Sequence, residues 1–230
     1  MSKIDGIKAV AFDGDGTLWD FEKVMRHSLH FVFRELEQFD PLAASLLDID
    51  KMIAIRNRVA SELKGKITNL EEIRLEAFKQ TLADIDRPDN ALASHLNQVY
   101  LQRRFKDIEL FEDVLPALET LKKKYSLGLI SNGNSYPERC GLNGVFSFVI
   151  FSQNYGFEKP DPRLFHIALE KVGCSTRQLL MVGDSLQNNV IGAMEAGIKG
   201  IWLNRTQAKS EIAFNIEYEI QSMTELLDIL

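Results

Sequence analysis

Residues 10–20 read VAFDGDGTLWD, with two carboxylates, Asp13 and Asp15, two positions apart between an apolar run and Gly16. An ionised carboxylate is a nucleophile that needs no base to activate it. A second one beside it can carry a proton to and from the reacting group. Both kinds of oxygen also suit a hard divalent cation. The strand is ending at this point, and Gly16 lets the chain turn. Three further clusters follow other apolar runs: Ser131-Asn132-Gly133-Asn134, Lys159 within QNYGFEKPDP, and Gly183-Asp184-Ser185. Brought together, they would set three carboxylates, one hydroxyl and one lysine around a single point.

What must position them is a set of strands. Five runs read as strands: IKAVAF (7–12), SLGLIS (126–131), FVIFS (148–152), LLMVG (179–183) and GIWLN (200–204). Their continuous hydrophobicity predicts strands covered on both faces, as in a parallel sheet. Helical patterns VLPALETLKKK (114–124), PRLFHIALEKVG (162–173) and VIGAMEAG (190–197) lie between them, with Gly173 and Gly197 where helix ends would fall. Alternation of this kind means an open α/β sheet, and in such sheets ligands bind outside the carboxyl ends of the strands. Residues 20–110 break the alternation. They contain no convincing strand, and Met25, Leu29, Val32, Phe33 and Leu36 share one helical face, as do Ile73, Ala77, Phe78 and Leu82. Breaks at SELKGKITNL and DIDRPDN divide the segment into about four helices.

Four motifs in this order, each at a strand end, resemble those of the haloacid dehalogenase superfamily of phosphohydrolases. The resemblance covers nearly the whole chain outside the insertion, which is placed like that superfamily's C1-type helical cap. It implies an open parallel, Rossmann-like sheet sandwiched by helices. The core would span 1–19 and 111–230 and the all-helical cap 20–110. The chemistry implied is hydrolysis of a small phosphorylated metabolite. A phosphate dianion repels an attacking carboxylate, so a divalent cation must sit between them. Magnesium would take Asp13, Asp15 and Asp184 around it, with two carboxylates, a backbone carbonyl and waters as oxygen ligands. Asp13 would attack phosphorus to form an aspartyl-phosphate, and Asp15 would protonate the leaving oxygen and then deprotonate water. Gly14 leaves room for phosphate against backbone N–H groups. By resemblance, the Ser131 hydroxyl and the Asn132 backbone N–H would bind phosphate oxygens, Lys159 would hold negative charge on the transferring group and the nucleophile, and Asp184 would be the second carboxylate on the metal.

One position departs from the pattern. Members with GDSxxND carry an acid five residues after the first, whereas this chain reads GDSLQNN, with Asn188 and Asn189 as outer-shell candidates. The amide at 189 can hydrogen-bond but lacks a unit of negative charge, which predicts weaker magnesium binding. A phosphomutase shares all four motifs and stays open, as does a non-catalytic phosphate sensor or partner-binding protein. Dehalogenation is disfavoured by Asp15, for which that reaction has no use.

Composition narrows the partners. The 230 residues are 45% hydrophobic and 26% charged with a formal charge of −6, and no basic stripe is present to follow a nucleic acid. No run reaches the roughly 20 apolar residues of a membrane helix, and the first ten residues lack a secretory core, so a cytoplasmic protein is expected. Cys140 and Cys174 do not form a CxxC pair, and His27, His30, His95 and His166 are dispersed, so neither a disulfide framework nor a zinc site is expected. Asp20 reads as the cap of the first inserted helix. Trp19 and Phe21 read either as lining an entrance or as packing the junction, and the facing of Arg56, Arg58 and Arg74 is open. Monomer and dimer fit equally.

Overall fold

The computed structural model describes residues 3–210 and 216–230. Residues 1, 2 and 211–215 of the expected core range lie outside the described residues. In chain order the elements are β1 (Ala9–Phe12), α1 (Phe21–Phe39), α2 (Pro41–Ser45), α3 (Ile49–Leu63), α4 (Leu70–Ala83), α5 (Asn90–Lys106), α6 (Val114–Leu121), β2 (Ser126–Ser131), β3 (Phe148–Phe151), α7 (Pro162–Val172), β4 (Leu179–Gly183), α8 (Gly192–Glu195), β5 (Lys199–Leu203), β6 (Glu219–Ile220) and α9 (Met223–Ile229). They divide into two compact units, Met1–Asp20 with Glu109–Leu230, and Phe21–Ile108.

The first unit holds one sheet in the order β3-β2-β1-β4-β5-β6. Every pairing is parallel. The apolar runs become strands because each is buried along both faces: β1 and β4 contain no exposed residue. Ala9, Ala11, Ile130, Ile150, Leu179 and Met181 form one face and pack against Leu164, Phe165 and Ala168 of α7 and Ala193 of α8. Their alternates Val10, Phe12, Leu127, Leu129, Leu180 and Val182 are equally buried. Asp161 caps α7, accepting from the Arg163 N–H, and Gly173 ends it at φ 66°. The expected sheet of five strands gains β6, a two-residue strand on the outer edge of β5. The expected helix at 190–197 begins instead as a wide π turn, Leu186–Ile191, and is α-helical only over Gly192–Glu195.

The second unit is all helical. Val24, Met25, Ser28, Leu29, Val32 and Leu36 form the buried stripe of α1. Of these, Met25, Leu29, Val32 and Leu36 join Phe78, Leu82, Ala93, Leu96 and Tyr100 of α4 and α5 in one core. Asp48, Asn69 and Asp89 cap α3, α4 and α5 through their side chains. Arg58 pairs with Asp84, while Arg74 is buried with its guanidinium 5.9 Å from the centre of the Tyr100 ring. No helix among the described residues is long and apolar enough to cross a membrane.

Gly128 is the tightest point of the sheet, because a Cβ there would lie 2.0 Å from the Phe148 ring on the adjacent strand. Gly128→Ala must displace that ring from the core, and overpacking of this kind costs about 1–3 kcal/mol. A chemical denaturation curve should show the midpoint falling by that free energy divided by the slope, with the slope itself unchanged.

Candidate active site

The loops after β1, β2, β3 and β4 meet because those strands are adjacent and parallel, so their carboxyl ends share one edge. Asp13 leaves β1 still tied to the neighbouring strand, its N–H donating to the Val182 carbonyl of β4 at 2.9 Å. The chain then folds sharply back on itself. Leu18 N–H donates to the Gly14 carbonyl at 2.8 Å and Gly16 N–H to the Trp19 carbonyl at 2.9 Å. Gly16 makes this turn at φ +79°, and a Cβ there would strike the Asp184 carboxylate at 2.2 Å. Glycine is therefore required at 16 both for the backbone and for the approach of Asp184.

Asp13 is held at both oxygens. Oδ1 accepts from the Gly14 N–H at 2.7 Å and from Lys159 Nζ at 2.9 Å. Oδ2 accepts from Asn189 Nδ2 at 2.9 Å. Lys159 is almost wholly buried, with 2% of its surface exposed, and its ammonium also donates to the Ile130 carbonyl at 2.6 Å and to Asn189 Oδ1 at 2.7 Å. All three of its donors are thus used. Asn189 bridges the ion pair, accepting from the lysine with one end of its amide and donating to the aspartate with the other.

Asp184 stands at the end of β4, with its N–H donating to Thr17 Oγ1 at 3.0 Å. Its outer side is exposed, yet its inner side is crowded by protein. This crowding, with the negative charge of Asp13, raises its carboxyl to about 6. Two carboxylates that repel one another across adjacent strands are the donor chemistry a hard divalent cation relieves. Among the described residues no three His, Cys, Asp or Glu side chains gather at metal-holding distance. A cation here would therefore complete its shell with main-chain and water oxygens.

Asp15 is engaged through one oxygen. Oδ1 accepts from Trp19 Nε1 at 2.6 Å and from Ser135 Oγ at 3.2 Å. Ser131 is buried, and its Oγ accepts from the Gly133 N–H at 2.9 Å, which leaves the hydroxyl proton available to another acceptor. Asn188 N–H donates to Ser185 Oγ at 3.2 Å within the π turn, apart from the Lys159 ammonium that Asn189 meets.

Several contacts have no counterpart in the sequence reading. The Asn132 side chain clamps the Lys159 backbone, accepting from its N–H at 2.8 Å and donating to its carbonyl at 2.9 Å. Trp202 Nε1 donates to the Asp184 carbonyl at 2.8 Å. Arg205 donates to the Thr17 carbonyl at 3.0 Å while pairing with Asp113 at 2.9 and 3.0 Å. Burial pushes the Asp113 carboxyl up, but hydrogen bonds from Arg205 and the Met223 N–H outweigh it and hold it below the usual range. The only sequence signal was the position of Asn132, Trp202 and Arg205 at strand ends or just beyond them.

Comparison with known proteins agrees with this geometry. A family profile described as haloacid dehalogenase-like hydrolase matches residues 7–197. The 5-amino-6-(5-phospho-D-ribitylamino)uracil phosphatase of Escherichia coli is 26% identical over 86% of this chain and 83% of its own. The glyceraldehyde 3-phosphate phosphatase of Methanothermobacter thermautotrophicus is 29% identical over 89% of each chain. Among solved structures, a 2-haloacid dehalogenase from Pseudomonas syringae superposes with a TM-score of 0.81 at 28% identity over 97% of both chains. With its four strand-end motifs gathered at one edge of a parallel sheet, and that profile spanning most of its length, this chain belongs to the haloacid dehalogenase-like hydrolases.

Proposed function

We propose that the protein is a cytoplasmic, magnesium-dependent phosphatase that hydrolyses a small phosphorylated metabolite through an aspartyl-phosphate on Asp13. The observation that carries this reading is Asp15: a carboxyl two residues beyond the nucleophile, oriented by two hydrogen bonds, is a proton carrier that an alkoxide leaving group needs and a halide does not. Two relatives named as phosphatases, acting on a ribitylaminouracil phosphate and on glyceraldehyde 3-phosphate, support the substrate class. The helical unit, Phe21–Ile108, would be the cap.

In this reading Asp13, Asp184 and the Asp15 main-chain carbonyl would hold Mg²⁺. The ion supplies neutralisation of charge between the carboxylates and the incoming dianion. An Asp13 oxygen bonds to phosphorus in line as the phosphorus–ester oxygen bond breaks, and Asp15 gives its proton to the departing oxygen. Asp15, now ionised, takes a proton from water, whose oxygen bonds to phosphorus as the Asp13–phosphorus bond breaks. Inorganic phosphate leaves, and both aspartates return to their starting states. Lys159, already bonded to Asp13, offsets charge on the transferring group, while the Ser131 hydroxyl and the Asn132 N–H orient its oxygens.

The test is release of inorganic phosphate from p-nitrophenyl phosphate and from a panel of sugar phosphates, nucleoside monophosphates and phosphoglycolate. Chelation should abolish it and added Mg²⁺ restore it, and Asp13→Asn should reduce kcat by on the order of 10³ or more. Turnover in that variant at the parent rate, or halide release from 2-chloropropionate in place of phosphate release, would overturn the reading. A second expectation concerns Asn189, whose amide donates to Asp13. Asn189→Asp adds a negative charge beside the proposed cation, and such outer contacts change metal affinity about 10–100-fold. The Mg²⁺ concentration giving half-maximal activity should therefore fall by about tenfold, and an unchanged value would show that position 189 does not tune the metal.

A further inference from the structure

The tryptophan that follows the first motif belongs to the chemistry. Trp19 is fully buried, and its ring lies directly over Gly14, where a Cβ would meet Cζ2 at 2.6 Å. The backbone fixes the ring in place: Trp19 is bridged to Asp15 on one side and to Leu110 on the other, and its carbonyl accepts from the Gly16 N–H. From that seat its Nε1–H donates to Asp15 Oδ1 at 2.6 Å, and Ser135 Oγ donates to the same oxygen at 3.2 Å.

We propose that Trp19 is the positioning residue for Asp15, holding Oδ1 as a permanent acceptor so that Oδ2 is the oxygen that carries the transferred proton. An indole donates only, and its N–H cannot rotate away. A proton on Oδ1 would point at another proton at hydrogen-bond distance, so the protonated carboxyl must carry its hydrogen on Oδ2. The surroundings of Oδ2 agree. Among the described residues no donor reaches it, and Gly133 lies beside it, where a Cβ would approach Oδ2 to 2.5 Å. The missing side chain at 133 keeps that oxygen clear. Trp19 thus selects the face of Asp15 that meets the leaving group, and Gly14 and Gly133 make room for the indole and for the proton.

The inference rests on the phosphatase reading, and its test separates the two. kcat/KM covers events up to cleavage of the ester bond. An alkyl phosphate needs its leaving oxygen protonated, whereas p-nitrophenolate departs without help. Trp19→Phe should therefore lower kcat/KM for β-glycerol phosphate by about tenfold, the equivalent of one lost hydrogen bond of about 1.4 kcal/mol, and for p-nitrophenyl phosphate by less than about threefold. Benzothienylalanine at position 19 keeps the ring's shape while replacing N–H by sulfur, and it should give the same split. Equal losses on both esters in the benzothienylalanine protein would overturn the proposal. A readout independent of turnover comes from the two tryptophans, which give two indole N–H resonances. Asp15→Asn should move that of Trp19 and leave that of Trp202 in place, and a stationary Trp19 resonance would overturn the proposal as well. A parent protein inactive on both esters would remove the phosphatase reading, while the resonances still decide the hydrogen bond.

Discussion

Lys159 carries its charge where almost no water reaches it, and the loops after four strands are shaped by the need to satisfy that ammonium. A buried cation is tolerated only when it is paired and fully hydrogen-bonded. Its acceptors come from the end of β2, from Asp13 after β1 and from Asn189 in the turn after β4, and the Asn132 side chain fixes the lysine's own backbone after β3. Four loops are locked into one arrangement by a single charged group. Asp13 is thereby oriented by the fold itself, which is the preorganisation its proposed role as nucleophile would need.

Opposed to this attraction is the repulsion between Asp13 and Asp184. The lysine bonds to Asp13 and only partly offsets the crowding and negative charge around Asp184, whose raised carboxyl is the sign of that imbalance. Neutral Asn189 affects both interactions. It links lysine and aspartate without adding a negative charge, so the region bears one fewer anion than the acid usual at that position would give. The arrangement is held together around its lysine and unbalanced around its outer carboxylate.

The strands were legible because burial on both faces leaves unbroken apolar runs such as LLMVG, and the site was legible because chemistry-bearing residues directly follow those runs. The helical unit was legible from the stripe on α1 and from the breaks before Leu70 and Asn90. What escaped the reading were side chains that act on distant main chain. Asn132 on Lys159, Trp202 on Asp184 and Arg205 on Thr17 leave no periodic trace, because each depends on loops brought together by the sheet. β6 escaped for a related reason: two residues become a strand only because β5 lies beside them. From sequence, Trp19 reads as lining an entrance or packing the junction. Its bond to Asp15 depends on the chain reversing between Gly14 and Trp19, which Gly16 permits but does not reveal.

The hydrogen bond between Asp13 and Asn189 spans 176 positions of the chain. During synthesis the first strand emerges with its motif exposed, and its β4 partner is not made until most of the sequence has left the ribosome. Residues 21–108 form a compact unit of their own and can pack in the interval, as domains generally do. The Asp13 carboxylate therefore spends most of translation without the lysine and amide that orient it, and a chain released before the fourth strand would contain the first motif with its surroundings unbuilt.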